Sequence, residues 1–361
     1  MFLSSDMSNI VRQAAADAGF ELAGIAPVTD PRELDYFPHW IAEGRAGEMK
    51  YLEAREEQGR LKRASMAHAA PWARSVVVCA INYNAAQPYS TQVSDKSRGW
   101  ISRYAWSQED YHEAVMRRLR RVEAAVRSVC SNGCSSSDVI TRCYVDTGPI
   151  VERVVAKYAG IGWIGKNTCI INQKLGSWIF LGVILTSIDL APQAASLPAP
   201  DRCGSCTRCI DACPTDALTA PYQLDSNKCI SYLTIEKRGA IADDNLRSGM
   251  GRHVFGCDIC QDVCPWNRKA PATEAPEFQA RPELVNPALE WLAEMSDQEF
   301  RRTFHGSPVR RTKRSGLRRN AVIAMGNSGD KKFLPVLEKL AQNEEDEVVR
   351  ESAAWAVRKL G

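Results

Sequence analysis

The segment that decides the fold of this chain is CGSCTRCIDACP, which runs from Cys203 to Pro214. Its cysteines follow the spacing Cys-x2-Cys-x2-Cys-x3-Cys-Pro. A partial repeat, CDICQDVCP, runs from Cys257 to Pro265, and the single Cys229 stands ahead of it as the member that the repeat lacks. Eight of the 13 cysteines therefore belong to one duplicated pattern. In such a pattern, short turns bring three sulfurs together and a more distant thiol completes the set.

The duplicated spacing is typical of domains that bind two 4Fe–4S clusters, in which the fourth cysteine of a run ligates the other cluster. By that rule, the ligands of the first cluster are Cys203, Cys206, Cys209 and Cys264. The ligands of the second are Cys213, Cys229, Cys257 and Cys260. Two structural zinc sites are the alternative, since Cys-x2-Cys is also a zinc spacing. Zinc does not explain the complete run or its near repeat, so we interpret the chain as an electron-transfer protein.

The composition is that of an ordinary globular protein, with 25% charged and 45% hydrophobic residues among 361. The longest apolar stretch, Trp178 to Leu185, is far too short to span a bilayer, and Met1 to Val11 lacks the features of a secretory signal. Because cluster thiolates must stay reduced, we expect a cytoplasmic protein with no membrane partner. The remaining cysteines are expected to pack in the core: Cys79, Cys130, Cys134, Cys143 and Cys169.

The chain is predicted to be a multidomain α+β protein that divides at its proline- and alanine-rich stretches. Residues 1–190 are predicted to form a mixed α/β domain, because apolar strands such as SVVVCAINY (Ser75 to Tyr83) alternate with amphipathic helices. A ferredoxin-like cluster domain follows at 201–268, and a connecting segment at 269–300. Residues 301–361 contain two similar segments, in which Arg319 aligns with Arg350, and these indicate HEAT-like helical repeats.

The glycine-rich segment of the chain does not indicate a nucleotide-binding site. GIGWIG, from Gly160 to Gly165, matches the G-x-G-x-x-G fingerprint, which has to follow a strand and open a helix. Here a helix precedes the glycines and a strand follows, so we expect a corner packed against a large ligand or another backbone. The sequence also contains no phosphate-binding G-x-x-x-x-G-K-[ST] loop and no Cys-x3-Cys-x2-Cys motif of radical S-adenosylmethionine enzymes.

The segment from Phe300 to Gly329 contains no acidic residue and many arginines. Such a stripe is the electrostatic footprint expected for a nucleic-acid backbone, with a solvated basic helix end as the alternative. The candidate RNA-binding residues are Arg310, Arg311, Lys313, Arg314, Arg318, Arg319 and Arg350.

Several segments of the chain resemble the epoxyqueuosine reductases, a family of cobalamin- and iron–sulfur-dependent enzymes. They are CISYLTIEKRG from Cys229, GCDICQDVCPWN from Gly256, YVDTGPIVERVVAKYAGIGWIGKNT from Tyr144 and RYAWSQEDYH from Arg103. The last segment is one residue longer here than is usual in the family. The resemblance covers essentially the whole chain. It implies a reductase that converts the epoxide of epoxyqueuosine in tRNA to the alkene, the last step of queuosine biosynthesis.

The resemblance also implies roles for individual residues. Two clusters would pass electrons singly to cobalamin, whose reduced cobalt either attacks the epoxide carbon or transfers an electron to it. Asp146 matches the family's proton donor, whereas the sequence alone favours a helix N-cap before Pro149. An acid that is protonated near neutral pH has to be shielded from water, and a corrin ring above it would do this. The corrin contacts carried over are Arg63, Ser102, Asp146, Ile170, Leu181, Ser231 and Asp258.

The expected partners are tRNA carrying epoxyqueuosine in its anticodon loop and an external low-potential electron donor, and we expect a monomer. Two other functions stay open from the residues. A corrinoid reductive dehalogenase-like enzyme also combines cobalamin with two clusters, but it has no use for basic C-terminal repeats. A ferredoxin-type electron carrier would leave the N-terminal 190 residues without a task.

Overall fold

The computed structural model of the protein describes residues 4–128, 139–190 and 198–361. The chain forms two compact units, each built from three stretches of sequence. Unit 1 comprises Met1–Asn84, His112–Cys206 and Pro265–Ala272, and unit 2 comprises Ala85–Tyr111, Thr207–Cys264 and Thr273–Gly361. The segment predicted as one cluster domain is thus divided between the units. The repeat helices share unit 2 with most of the cluster cysteines.

The core of unit 1 is a four-stranded antiparallel sheet with the order β1-β2-β7-β4. Its strands are β1 (Leu22–Pro27), β2 (Ser75–Asn82), β4 (Thr141–Tyr144) and β7 (Ile179–Thr186). A small hairpin consists of β5 (Trp163–Ile164) and β6 (Ile170–Ile171). Every residue of β2 is buried, because this apolar strand lies between β1 and β7 and both of its faces are covered. The strand predicted from SVVVCAINY is confirmed.

Helices cover both faces of this sheet. The helices of unit 1 are α1 (Ser4–Asp17), α2 (Tyr36–Ala42), α3 (Met66–Ala69), α4 (Tyr111–Ser128) and α5 (Glu152–Tyr158). Gly182 on β7 leaves room for Val115 and Leu119 of α4 on one face. On the other face, Val155 of α5 belongs to an apolar cluster with Val183 of β7. Successive strand residues point to opposite faces, so β7 packs against both helices.

Two expectations about the whole chain can be compared with the described residues. Cys79 and Cys143 are buried in the sheet as predicted, and Cys169 is half-buried, whereas Cys130 and Cys134 lie outside the described residues. No helix in the ranges described is long and apolar enough to cross a membrane.

The first two stretches of unit 2 contain the RYA segment and most of the cluster cysteines. The strands of unit 2 are β3 (Trp100–Ile101), β8 (Leu218–Ala220), β9 (Gln223–Leu224) and β10 (His253–Phe255), and β3 pairs with β10 in parallel. Its short helices are α6 (Arg208–Asp211), α7 (Ile230–Ile235), α8 (Asp244–Gly249) and α9 (Ile259–Asp262). Helices α6 and α9 occupy equivalent places in the two cysteine runs and contact each other. The duplication seen in the sequence is therefore also a duplication in structure.

The C-terminal part of unit 2 is helical. Its helices are α10 (Leu289–Glu294), α11 (Asp297–Thr303), α12 (Lys313–Ser328), α13 (Leu334–Asn343) and α14 (Glu347–Leu360). Helix α12 packs against α10 and α14, and it also contacts α7, α8 and β10 of the cluster-binding part. Because one or two repeats cannot bury their apolar faces alone, α12 shares its core with its neighbours on all sides.

Arg319 and Asn320 of α12 hold two cluster-binding segments together. The Arg319 guanidinium donates to the carbonyl oxygens of Leu233, Lys237 and Gly239, at 2.6, 2.9 and 2.8 Å. The Asn320 side-chain amide donates to the carbonyl oxygens of Thr234 and Val254, both at 2.8 Å. Helix α7 and strand β10 are thereby tied to one helix.

The structure corrects two of the predicted RNA contacts. Arg318 and Arg319 are only 5% and 1% exposed. Arg318 forms a two-pronged ion pair with Glu344, at 2.6 and 3.0 Å, and donates from Nε to the Ala293 carbonyl. Both guanidinium groups are enclosed because α12 is the central helix of unit 2, so we withdraw them from the candidate phosphate contacts.

Replacing Arg319 with alanine is expected to lower the free energy of unfolding by about 3 kcal/mol, because buried carbonyl oxygens lose their donor. Urea denaturation followed by circular dichroism measures this loss. Arg301→Ala is the matched control, since that side chain is 75% exposed in a surface ion pair, and its effect is expected to stay within about 0.5 kcal/mol. Equal losses in the two variants would contradict the structural role of Arg319.

Candidate active site and cluster-binding segments

The candidate catalytic loop of unit 1 follows the edge strand β4. Val145 is buried, whereas Asp146 has a left-handed backbone with φ of +59° and a side chain that is 72% exposed. Gly148 lies so close to Tyr144 that a Cβ atom there would meet the ring carbon Cγ at 2.7 Å. The turn therefore folds back over the end of its own strand and presents the Asp146 carboxylate outward.

Asp146 is not the N-cap of the following helix. Helix α5 begins at Glu152, its N-cap is Val151, and no side chain caps it. Pro149 precedes the first turn of the helix, so the predicted start at Pro149 was wrong. The alternative structural role of Asp146 is thus not observed.

Two basic side chains of unit 1 lie at this loop. Arg63 donates to the Gly148 carbonyl at 2.8 Å and to the Tyr51 carbonyl at 3.0 Å, and burial lowers its pKa. His112, near the start of α4, places Nε2 at 4.0 Å from Asp146 Oδ2. The structure thus brings the predicted Arg63 and Asp146 to the same loop and adds His112, which our site prediction had missed although it belongs to the DYH motif.

Glu152 is a second acid at the loop that the sequence analysis missed. Its Oε1 accepts a hydrogen bond from the backbone N–H of Asp146 at 2.8 Å. Burial, and then the neighbouring Asp146 charge, raise the pKa of Glu152 to about 8. The loop therefore combines an outward carboxylate with a half-buried carboxyl group.

Two further predicted corrin contacts belong to the apolar cluster of unit 1. Ile170 is buried in this cluster, and Leu181 is a partly buried neighbour of it, as is Tyr144 before the loop. The glycine-rich GIGWIG corner packs against backbone: a Cβ atom on Gly162 would lie 2.2 Å from the carbonyl oxygen of Ile171. The corner therefore packs against another backbone, which is one of the two contacts predicted for it.

The cluster cysteines are partly accessible, except for the buried Cys264. In unit 2, burial and the nearby thiols of Cys229 and Cys213 raise the pKa of Cys257. The backbone N–H of Ala217 also donates to Cys213 Sγ at 3.3 Å. Cys213, from the first run, therefore lies near two cysteines assigned to the second cluster, as the exchange of fourth ligands requires.

Within the described ranges, no three or more His, Cys, Asp or Glu side chains are grouped as they would be around a single metal ion. A 4Fe–4S cluster distributes its thiolates over several irons. The assignment of the eight cysteines accordingly rests on their spacing and on the contacts of Cys213, Cys229 and Cys257.

Ser102 and Asp258, two predicted corrin contacts in unit 2, are paired with each other. The Asp258 carboxylate accepts from the Ser102 hydroxyl, from Trp100 Nε1 at 2.9 Å and from the Arg103 backbone N–H at 2.8 Å. Asp258 and Ser102 are 1% and 3% exposed, and Ser231 is half-buried. The pair joins the RYA segment to the second cysteine run, and its corrin contact stays a prediction.

The remaining predicted RNA contacts differ in their surroundings. Arg310 and Lys313 are exposed. Arg311 forms an ion pair with Glu236, and Arg314 forms one with Asp297 at 3.1 Å. Arg350 is half-buried and donates to the Glu344 carbonyl at 2.8 Å. Arg310, Arg311 and Lys313 are therefore the exposed members of the predicted set.

Three family models match consecutive parts of the chain. Residues 63–147 match the model of epoxyqueuosine reductase QueG, and residues 202–267 match a 4Fe-4S double cluster binding domain. Residues 281–358 match HEAT repeats. The two clusters and the helical repeats inferred from the sequence are thereby confirmed, and zinc is set aside.

Full-length relatives carry the same family name. An epoxyqueuosine reductase of Xanthomonas campestris is 36% identical, covering 99% of this chain and 97% of the relative. One from Pseudomonas aeruginosa is also 36% identical, covering 98% of this chain and 95% of the relative.

Solved structures agree with these relatives. An epoxyqueuosine reductase in complex with an epoxyqueuosine-modified tRNA-Tyr stem loop is 31% identical, with a TM-score of 0.84 over 99% of this chain and 90% of that chain. The enzyme from Bacillus subtilis, with its catalytic aspartate loop swung out of the active site, is 30% identical, with a TM-score of 0.84. The match covers 99% of this chain and 91% of that chain. With this identity over nearly the entire length, the chain belongs to the epoxyqueuosine reductase family.

Proposed function

We propose that this chain reduces the epoxide of epoxyqueuosine in tRNA to the alkene of queuosine. The observation that carries the proposal is the Asp146 loop, which presents a carboxyl group outward beside His112 and Arg63 in a chain with a double-cluster domain. The reaction consumes two electrons and two protons and releases the epoxide oxygen as water. A proton donor at the oxygen and a source of single electrons are therefore both required.

We also propose cobalamin as the cofactor at this loop. The residues of unit 1 have suitable chemistry: Ile170 and Leu181 offer apolar contact, and Arg63 offers donors for the amide carbonyls of a corrin. When bound, the clusters supply single electrons and the corrinoid supplies a cobalt centre that can be reduced to a nucleophile. Ser102, Ser231 and Asp258 stay predicted corrin contacts that rest on membership of the family.

The protein's own residues control the proton. Asp146 would donate a proton to the epoxide oxygen as the first carbon–oxygen bond breaks, which leaves a hydroxyl group on the neighbouring carbon. A second proton is required when the second carbon–oxygen bond breaks and the oxygen departs as water. His112 Nε2 lies 4.0 Å from Asp146 Oδ2, close enough to return a proton after small movements of either side chain. Since Asp146 is 72% exposed, its shielding from water has to come from what binds over the loop.

The exposed basic residues of unit 2 have the charge that RNA phosphates require. We propose that Arg310, Arg311, Lys313, Arg314 and Arg350 contact tRNA phosphates, and the first three of these side chains are exposed. Such contacts hold the anticodon stem loop while the modified base is turned outward. An external low-potential donor would supply the electrons to a monomeric, cytoplasmic protein.

The central test is incubation of the protein, cobalamin and a low-potential reductant with tRNA that carries epoxyqueuosine. Mass analysis of the nucleosides should show loss of one oxygen atom, and omission of cobalamin should abolish it. A protein that binds cobalamin and both clusters but leaves epoxyqueuosine unchanged would overturn the proposal.

Asp146→Asn is expected to reduce turnover by about a hundred-fold or more, because the amide cannot supply the proton. Single-turnover assays on a modified stem loop measure the rate, while visible spectra check that clusters and cobalamin are retained. Glu109→Gln, a charge-matched change at a residue outside this loop, is the control. Near-normal turnover of Asp146→Asn would refute its role as proton donor.

Anaerobically purified protein is expected to contain about eight irons per chain, and Cys213→Ser about four, since the second cluster loses a ligand. Iron and zinc analysis measures this difference. Cys169→Ser is the matched control and should keep the full iron content. Zinc in place of iron, or an unchanged iron content in Cys213→Ser, would contradict the ligand assignment.

Stem-loop affinity is expected to fall steeply with salt, because phosphate contacts release counterions. The double variant Arg310→Ala with Lys313→Ala should bind more weakly and flatten the salt dependence by about one unit of slope per lost contact. Fluorescence anisotropy at several salt concentrations measures both quantities. Lys339→Ala, an exposed lysine paired with Glu294, is the control. A double variant that binds like this control would place the RNA elsewhere.

A further inference from the structure

Glu152 is the first residue of α5, yet its side chain reaches back to the catalytic loop rather than capping its own helix. Its Oε1 accepts the N–H of Asp146 at 2.8 Å, and the N-cap position is held by Val151 without a side-chain cap. The Glu152 side chain therefore binds the Asp146 loop instead of its own helix.

The Asp146 backbone needs such a contact. A left-handed conformation costs a non-glycine residue about 1 kcal/mol or more, even though aspartate tolerates it better than most. The loop is otherwise held by a turn bond from the Thr147 N–H to the Val145 carbonyl at 2.7 Å and by the Arg63 contact to Gly148. The Glu152 bond acts on the amide of Asp146 itself and so helps to set the direction of the Asp146 Cα–Cβ bond.

The charge state of Glu152 suits this task. Burial and the Asp146 charge raise its pKa to about 8, so the group is mainly a neutral acid at neutral pH. A neutral carboxyl group still accepts a hydrogen bond through its carbonyl oxygen. It can therefore hold the loop without placing a second negative charge beside Asp146, and a glutamine amide could do the same.

We propose that Glu152 is a positioning residue, which holds the Asp146 amide so that the Asp146 carboxyl group points at the substrate oxygen. The proposal rests on the proposed role of Asp146 as proton donor. It assigns to Glu152 no contact with substrate and no transferred proton. The role requires an acceptor oxygen at the distance from the backbone that a glutamate or glutamine side chain provides.

Three variants separate positioning from other roles. Glu152→Ala removes the acceptor and Glu152→Asp shortens its reach, so both are expected to lower kcat by about ten- to a hundred-fold, with KM for the stem loop changed less than about two-fold. Glu152→Gln keeps the acceptor and should recover kcat to within about three-fold of the unmodified protein.

A matched control tests whether any damage to α5 has the same effect. Glu33 pairs with Lys157 at 2.5 Å and accepts from Tyr158 at 3.1 Å, so it supports the other end of α5 and lies outside the catalytic loop. Glu33→Gln is expected to lower the melting temperature but to leave kcat within about two-fold.

Hydrogen exchange of the Asp146 amide gives a readout that is independent of catalysis. Exchange should be faster in Glu152→Ala and Glu152→Asp, and unchanged in Glu152→Gln and Glu33→Gln. Normal kcat in Glu152→Ala, equal loss in Glu152→Gln, or equal loss in Glu33→Gln would each overturn the proposal. Inactivity of the unmodified protein would defeat the proposed function instead, while the exchange pattern would still decide whether Glu152 holds the loop.

Discussion

The hydrogen bonds from Arg319 and Asn320 to backbone carbonyls are the constraint on which unit 2 depends. Helix α7 directly follows Cys229 and strand β10 leads to Cys257, and these two donors of α12 bind both segments. Short cysteine-bearing turns bury little apolar surface of their own. They are therefore held by a helix that comes much later in the chain, and the repeats support the segments that carry the predicted ligands of the second cluster.

A second buried network gives the RYA segment its place in the same unit. Asp258 follows Cys257 directly, and its carboxylate accepts hydrogen bonds from Trp100, Ser102 and Arg103. Asp262, on the next turn, accepts from the Ser90 hydroxyl at 2.5 Å, and burial together with the Asp258 charge raises its pKa to about 7. Both oxygens of the buried Asp258 carboxylate accept hydrogen bonds, and a satisfied buried carboxylate of this kind makes a segment rigid. Such rigidity suits the surroundings of a cluster.

The two acids at the catalytic loop differ because their environments differ. Asp146 is exposed on a turn with a left-handed backbone, whereas Glu152 is half-buried and binds the Asp146 amide. One carboxyl group is thereby available to a substrate, and the other is kept for holding the loop. Family membership removes the dehalogenase-like and electron-carrier alternatives.

The sequence by itself determined the local features: the cysteine spacing, the apolar strand β2, the repeated helices and the family. These depend on residues close together in the chain, whose geometry is set by turns and side-chain periodicity. Only the tertiary structure decided which basic residues reach the surface and which acids have partners. The donors to Asp258 lie 155 to 158 residues away from it, and Arg319 meets carbonyls 80 to 86 residues away. Burial and hydrogen bonding of this kind arise from packing between distant segments, so no local pattern could show that Arg318 and Arg319 are enclosed or that Ser102 and Asp258 bind each other.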